Sequence, residues 1–459
     1  MRKCGISRDC DGWTFADESG ELVATTKTAT EAVEYMRGQR RAVYLCTESD
    51  TLRALAIECQ RLAADTAERE PNISARGNGA GGIELCGVSI HGASWQVSTP
   101  WGMWGRSAAA KAPVASDLHP AAHVVAVARE WSRVVDSAGL GGGKLSAGTA
   151  AAELLPASWI KASRRFAPSQ PWKDVRSAYY GGRVELFQRG YEGPAVEHDI
   201  RSAYGAALAG LLGWMPDFQL YADRRPLAGQ PGWYDATVRV SGQFGPLPFR
   251  DPDKPWSITW PTSGSWRAWF TRADIETPGV EVVEVHASHA GRYRNPLAEP
   301  VAELLELRET SGPWERAVLR QLVVSLAGKL GQRPVQWRVW NPPFAQRPPP
   351  GVRVIGNPFG AHVMLYPSEP AVYPPTIVPQ VASYVTARTR RVLHDALTDA
   401  GDAAIYCDTD AVHLPASSPP PRNSGPASGQ WCAKVSGHGH YVARRNYQLG
   451  QKLVHYAPE

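Results

Sequence analysis

Over residues 1 to about 110, apolar and polar positions alternate in short runs separated by turns, at 13–17, 21–26, 41–46, 82–90 and 94–101. Alternation of this kind marks half-buried strands, whose side chains point to opposite faces in turn. Between these runs, 28–38 and 49–70 place apolar residues at helical spacing, and the polar, glycine-bearing stretch 70–82 reads as a link. The pattern predicts a mixed α/β layout. Residues 111–155 are alanine-rich and predicted helical, with a break at the glycine run 139–144. That run is not a Walker loop, because Leu145 rather than Ser or Thr follows Lys144. Residues 163–172 read as an interdomain linker. A second unit then opens with strands at 184–190 and 195–200, the latter running into an apolar helix at 202–212. Residues 232–300 are strand-rich with Pro and Gly turns, and 301–330 reads as a helix broken at 311–313. The proline-heavy stretch 341–360 is expected to be an exposed insertion. A helix at 379–397, with Val381, Tyr384, Val385, Val392 and Leu393 on one side, leads into a strand, tight turn and strand at 403–414.

Composition changes this picture little. A chain of 459 residues allows about three domains of roughly 150 residues. With 43% hydrophobic and 20% charged residues it can fill a core. The longest apolar run, 206–215, is half of the roughly 20 residues a membrane span needs, and the basic start has no apolar run behind it. Neither a membrane protein nor a secreted one is expected. Seven cysteines at 4, 10, 46, 59, 86, 407 and 432 contain no CxxC pair, which argues against a zinc ribbon and a disulfide framework and for a cytoplasmic protein with reduced thiols. The net charge of +5, from 49 basic and 44 acidic residues, suits a nucleic-acid partner without demanding one. Its richness in Arg, Ala, Gly and Pro equally fits a GC-rich genome.

Three segments carry candidate chemistry. Asp408-Thr409-Asp410 occupies the tip between two apolar strands, where residues two apart can face one space. Two carboxylates there are costly unless a cation neutralises them; the alternative is a solvated turn. Asp199 falls where a strand gives way to a helix, placed to be a hard-oxygen ligand for magnesium or, alternatively, a helix N-cap. Arg308, Arg320 and Lys329 recur among apolar positions along a helical stretch, and could receive a triphosphate or line a solvated basic face.

In chain order these segments resemble the polymerase motifs of family B DNA polymerases. Asp199-Ile200-Arg201-Ser202-Ala203-Tyr204 resembles Asp-x-x-Ser-Leu-Tyr. Residues 320–329, from Arg320 to Lys329, resemble Lys-x-x-x-Asn-Ser-x-Tyr-Gly-Lys, and Tyr406-Cys407-Asp408-Thr409-Asp410-Ala411 resembles Tyr-x-Asp-Thr-Asp-Ser. Tyr179-Tyr180-Gly181-Gly182 is similar to the Tyr-x-Gly-Gly element of the protein-primed branch, found on linear phage and plasmid genomes. Arg445-Asn446-Tyr447, preceded by Gly429-Gln430-Trp431, is similar to its Lys-x-Tyr element.

The resemblance implies a ribonuclease H-like N-terminal domain over 1–162 and a right-hand polymerase over 163–459. The palm would span 173–231 and 374–447, the insertion 232–300, the fingers 301–373 and a short tail 448–459. It implies two-metal nucleotidyl transfer, with magnesium or manganese held by Asp199 and Asp410 and Asp408 beside them. Arg308 and Arg320 would bind the incoming dNTP, with Lys329 and Ile200 supporting that site. Tyr204 would pack under the sugar and exclude a 2′-hydroxyl. Tyr179, Gly181 and Gly182 would touch the template, where missing side chains permit close approach, and Arg445 and Tyr447 would steady the primer end. The implied partners are a DNA primer-template, dNTPs and a terminal protein that contacts 232–300.

Departures are informative. Val324, Ala327 and Ala411 stand where the motifs carry Asn, Tyr and Ser, while Arg320 and Arg445 keep the charge of Lys. No Asp-x-Glu lies on a first strand; Asp9, Asp11, Asp17 and Glu18 flank a turn instead. The segment around Asp50 lacks an Asn-x-x-x-Asp form, and 120–137 contains no Tyr-x-x-x-Asp. A decayed exonuclease without proofreading is expected. Twelve residues after Tyr447 leave little room for a thumb, which implies low processivity. Two alternatives remain at this level: a polymerase-fold nucleic-acid-binding protein with weak or no catalysis, and a template-independent nucleotidyltransferase.

Overall fold

The computed structural model describes residues 2–9, 11–39, 42–46, 49–66, 71–77, 83–90, 95–98, 111–141, 146–166, 169–213, 215–253, 257–332, 337–339, 352–356, 362–367 and 374–455. The N-terminal part is a seven-stranded sheet of β1 (Arg2–Arg8), β2 (Trp13–Ala16), β3 (Leu22–Thr26), β4 (Ala42–Cys46), β5 (Pro71–Gly77), β6 (Ile83–Ile90) and β7 (Trp95–Ser98), in the order β3-β2-β1-β4-β7-β6-β5. β1, β4 and β7 are parallel neighbours and the other pairs are antiparallel. Strand alternation sorts β4 between two layers. Tyr44 and Cys46 pack with α1 (Ala29–Gly38) and α2 (Ser49–Thr66), while Val43 and Leu45 face α3 (Pro120–Ser137). α1 begins in a capping box between Thr28 and Glu31. α3 lies so close over β1 that a β-carbon on Gly5 would meet the Ala121 carbonyl oxygen at 1.9 Å.

The α/β expectation therefore holds for this part, with two strands added. β1 escaped sequence reading because its apolar face is only two residues, Cys4 and Ile6, set among charged and small ones; those two pack into the core beside α1 and α2, and the strand is held by pairing on both sides. β5 lies inside the stretch read as a link, and is an edge strand secured by β6. The acidic residues near β1 are turn formers as expected. Asp9 Oδ1 accepts from the amides of Asp11 and Gly12, and Asp17 Oδ1 from those of Ser19 and Glu21.

The chain continues through α4 (Ala147–Ala151), α5 (Ala157–Phe166), α6 (Gln170–Ser177), β8 (Val184–Leu186), β9 (Glu192–Ile200) and α7 (Ala203–Leu208). The predicted linker 163–172 is thus largely helical, because Trp172 and Ser163 are buried in packing rather than exposed between domains. β10 (Pro216–Tyr221), β11 (Gly232–Ser241), β14 (Ser263–Thr271) and β15 (Val280–Tyr293) form a four-stranded sheet ordered β10-β15-β11-β14, once β12 (Phe249–Arg250), β13 (Ile258–Thr259) and α8 (Arg272–Ile275) are counted in chain order. α9 (Ala298–Thr310) and α10 (Pro313–Leu330) follow, with the predicted break at Ser311 and Gly312. β16 (Trp337–Val339), β17 (Arg353–Gly356) and β18 (His362–Pro367) form a small sheet, and Leu365 joins the N-terminal core. Part of the expected exposed insertion is therefore paired strand; 341–351 and 357–360 lie outside the described residues.

α11 (Pro379–Ala400) precedes β19 (Tyr406–Asp408), β20 (Ala411–Pro415), β21 (Trp431–Ala443), β22 (Asn446–Leu449) and β23 (Lys452–His455). With β8 and β9 these strands make a second seven-stranded sheet, wholly antiparallel, in the order β23-β22-β21-β9-β20-β19-β8. The presumed tail thus supplies its edge strand. Ile200, Cys407, Val412 and Leu414 on one face pack with Leu393 and Leu397 of α11. Strand alternation turns Glu197, Asp199, Asp408 and His413 to the opposite face.

Candidate active site

Asp199 lies inside β9, directly opposite Ala411 of β20 and Cys432 of β21. It is not the helix cap: Ser202 takes that position before α7, with φ of 55°. β19 and β20 are joined by the tight turn at Thr409 and Asp410, with Asp408 opposite Ala411. Thr409 adopts φ of 61°, and its N–H donates to the Arg183 carbonyl at 2.6 Å. The Ile200 N–H donates to the Asp410 carbonyl at 2.8 Å, which fastens the turn beside Asp199. Asp408 receives the Thr409 hydroxyl at 3.0 Å and the Tyr406 hydroxyl at 3.3 Å. All three carboxylates line one cavity of about 310 Å³, together with Glu197, Arg320, Tyr204, Tyr447 and Lys452.

The electrostatics follow from that crowding. Burial, then the Asp199 charge, pushes the Asp410 carboxyl up to about 7, with Asp408 adding to the rise and Lys434 and Arg320 opposing it. Lys434 Nζ sits 2.5 Å from Asp199 Oδ2. Lys452 Nζ sits 2.5 Å from Glu197 Oε2.

A second, adjoining cavity of about 500 Å³ is walled by Asp199, Asp410, Arg201, Ser202, Tyr204, Arg308, Arg320 and Val324. Arg308, from α9, donates to Ser202 Oγ, and Arg201 pairs with Glu309. The Nε–H groups of Arg308 and Arg201 are buried and donate to no protein acceptor among the described residues. Burial lowers the Arg308 pKa, and Arg320, Arg201 and Arg316 lower it further against the opposing Glu309. Three guanidinium groups, Arg201, Arg308 and Arg320, thus share one cavity wall, with Glu309 pairing only Arg201, an arrangement suited to an anion such as phosphate.

The remaining predicted residues distribute unevenly. Tyr204 lines both cavities, and its hydroxyl stays protonated because burial and Asp410 raise its pKa. Ile200 contributes backbone, its side chain being buried in the core. Lys329 does not line either cavity; it packs over α4, where a β-carbon on Gly148 would meet Lys329 Cε at 2.7 Å, and burial lowers its pKa. The structure therefore does not bring Lys329 together with Arg308 and Arg320 at the cavity wall. Tyr179 is turned to Gly331, and Gly181 faces open space. Gly182 instead closes on Thr409, so the turn already accounts for its missing side chain. Tyr447 stacks on Tyr441 with centroids 5.2 Å apart, and Arg445 takes φ of 56° between β21 and β22. Among the described residues no three acidic, His or Cys side chains converge into a preformed metal cage. The donor set nevertheless fits magnesium, which binds through one or two carboxylates and takes its other ligands from water and phosphate.

Sequence reading missed Lys434, Glu197, Lys452, Arg183 and Arg390. Arg390 is buried against Asp274 at 2.7 Å and donates to the carbonyls of Tyr180 and Gly181. Its signal was a basic residue on the apolar side of a helix, which is rare without a partner. The others had no signal, since strands distant in sequence bring them together.

An antiparallel sheet carrying carboxylates beneath a cavity walled by arginine-bearing helices, joined to an α/β N-terminal part, is a polymerase-like architecture. The chain has the fold of phi29 DNA polymerase, a protein-primed family B enzyme, in agreement with the motif resemblance over 179–447. An orthorhombic crystal form of that polymerase matches with a TM-score of 0.72 at 15% identity, covering 100% of this chain and 90% of the other. Its binary complex with primer-template DNA gives 0.70 at 15%, with the same coverage. Its ternary complex with primer-template DNA and incoming nucleotide gives 0.68 at 15%, covering 100% and 89%. No family model and no curated protein matches the chain by sequence. No described helix is long and apolar enough to cross a membrane.

Proposed function

We propose that this chain is a template-directed DNA polymerase that adds dNTPs to a primer 3′-hydroxyl, or to the hydroxyl of a protein primer, without 3′–5′ proofreading. The observation that carries this reading is the junction of the two cavities: Asp199 and Asp410 stand between a carboxylate pocket and a pocket lined by Arg201, Arg308 and Arg320, where the buried Nε of Arg201 and of Arg308 has no protein acceptor among the described residues. That junction is where a nucleoside triphosphate must place its α-phosphate if its outer phosphates meet the arginines.

In this reading the second seven-stranded sheet is the palm, α9 and α10 belong to the fingers, and 232–300 is the insertion that meets a terminal protein. The N-terminal order β3-β2-β1-β4-β7, antiparallel then parallel, supports a ribonuclease H-like ancestry. Asp9 and Asp17 are engaged in turns, which supports loss of the exonuclease. Asp199 and Asp410, with Asp408 adjoining, would hold magnesium or manganese, and those ions would supply hydroxyl activation and neutralise charge in the in-line phosphoryl transfer. Arg308 and Arg320 would bind the β- and γ-phosphates and stabilise the departing pyrophosphate. Tyr204, held protonated between the cavities, would lie under the deoxyribose and exclude a ribose. Gly181, facing open space, leaves the template backbone room to approach, and Tyr447 would set the primer terminus.

Primer extension on a defined template with magnesium and each dNTP tests the reading, run beside Asp410→Ala. Template-matched products from the wild type alone support it. Untemplated products identify a nucleotidyltransferase instead, and DNA binding without incorporation identifies a binding protein.

A further inference from the structure

β21 pairs with β9 in antiparallel register, but the register slips by one residue: Ala433 stands opposite His198 and Val435 opposite Glu197. Lys434 is the extra residue, the apex of a β-bulge. Bulges bend a strand and re-aim a side chain, at the expense of regular pairing. Here the bulge sends Lys434 across the strand face that carries Glu197 and Asp199. Its ammonium is 2.5 Å from Asp199 Oδ2 and 4.0 Å from Glu197 Oε1. Glu197 is 3% exposed and already held on its other oxygen by Lys452. Lys434 is 48% exposed, so its long side chain can move between two acceptors without disturbing the core.

We propose that Lys434 is a resident counter-ion of the active site, holding Asp199 while no divalent cation is bound and moving to Glu197 when one arrives. The idea rests on the polymerase reading of the carboxylate site. Asp199, Asp408 and Asp410 face one cavity, and like charges at such spacing repel. One ammonium on Asp199 relieves this in the metal-free protein. The same ammonium occupies the Asp199 oxygen a cation needs and opposes a second positive charge beside it. Glu197, two residues along the same strand, provides the place to which it withdraws. Lys434 is therefore a positioning residue. It sets the cation concentration at which the site fills and keeps the carboxylates ordered below that concentration.

The test is Mn²⁺ binding to the full-length protein without DNA or nucleotide, read from the electron paramagnetic resonance signal of free Mn²⁺. Lys434→Met is expected to bind Mn²⁺ about tenfold more tightly than wild type, since the competing charge is gone. Lys434→Gln should do the same, and Lys434→Arg, which keeps the charge, should stay near wild type. Asp199→Asn should lose the tight site. In thermal melts the metal-free Lys434→Met protein should melt below wild type, and saturating Mn²⁺ should close that gap. If Lys434→Met and Lys434→Gln bind Mn²⁺ no more tightly than wild type while Asp199→Asn abolishes binding, the role of Lys434 is overturned and the metal site stands. If Asp199→Asn leaves Mn²⁺ binding unchanged, the polymerase reading of the carboxylates fails and the proposal fails with it.

Discussion

Gly182 is packed against Thr409, the residue between the two carboxylates of the β19–β20 turn: a β-carbon on Gly182 would lie 2.7 Å from Thr409 Cγ2 and 2.9 Å from its Cα. Thr409 cannot retreat, because its N–H donates to Arg183 O at 2.6 Å and its φ is already 61°. Gly182→Ala is therefore expected to displace the Asp408–Asp410 turn and lower kcat by about 100-fold, the cost of roughly an ångström of misplacement. Gly181→Ala, with nothing within 4 Å, should leave the melting temperature unchanged and, once DNA is saturating, the single-turnover rate close to wild type. Single-turnover extension and thermal melts on both variants check the pair.

The Asp410 carboxyl, pushed up to about 7 by burial and Asp199, makes the metal-free fold pH-dependent. The folded state binds this proton more tightly than the unfolded chain does. Stability is therefore greatest below the ordinary aspartate range and falls as pH rises to about 7, by on the order of 4 kcal/mol. Asp410→Asn should abolish extension yet raise the metal-free stability at pH 8. Urea unfolding with chelator at pH 5 and pH 8 measures both slopes; equal pH dependence in variant and wild type would refute the assignment.

Arg320 lines both cavities and opposes the rise in the Asp410 pKa. Arg320→Gln should raise the KM for dNTP about tenfold, and weaken pyrophosphate inhibition in parallel. Arg308→Gln should do likewise, with no loss of fold because it leaves Arg201 and Arg316 less crowded by like charge. Steady-state kinetics at two salt concentrations separates charge loss from misfolding, since only charge loss flattens the salt dependence.

Arg390 ties α11 to Asp274 at 2.7 Å and to the carbonyls of Tyr180 and Gly181, with both charged side chains under 5% exposed. Asp274 also closes the cap of α8 through Thr271. Breaking this pair by Asp274→Ala strands a buried guanidinium and should cost about 3–5 kcal/mol. Denaturant unfolding reports it directly. A change below about 1 kcal/mol would mean that the pair is solvated.

Val324 is 41% exposed at the wall shared by the cavities, in the position where the resembled motif carries Asn. Val324→Asn should change stability by less than about 0.5 kcal/mol, as an exposed substitution does. An amide there gains hydrogen bonds to the incoming nucleotide, so the KM should fall. An unchanged KM would place the nucleotide elsewhere.

The sequence alone determined the α/β character of the N-terminal part, the two helices over 298–330 with their break, the β19–β20 turn, and the order of Asp199, Arg308, Arg320, Asp408 and Asp410. Each is a local pattern: alternation, helical spacing, a turn residue, or a short motif with fixed neighbours. Tertiary structure alone decided the rest. β1 and β5 are completed by pairing with neighbouring strands, which satisfies their backbones. Lys329 carries the motif's charge, but helix rotation and the close approach of Gly148 send it to another face. Lys434, Lys452 and Glu197 meet because strands far apart in the chain lie side by side, and one bulge on β21 turns a lysine onto Asp199. Register and bulges are settled by the whole sheet, so no window of sequence contains them.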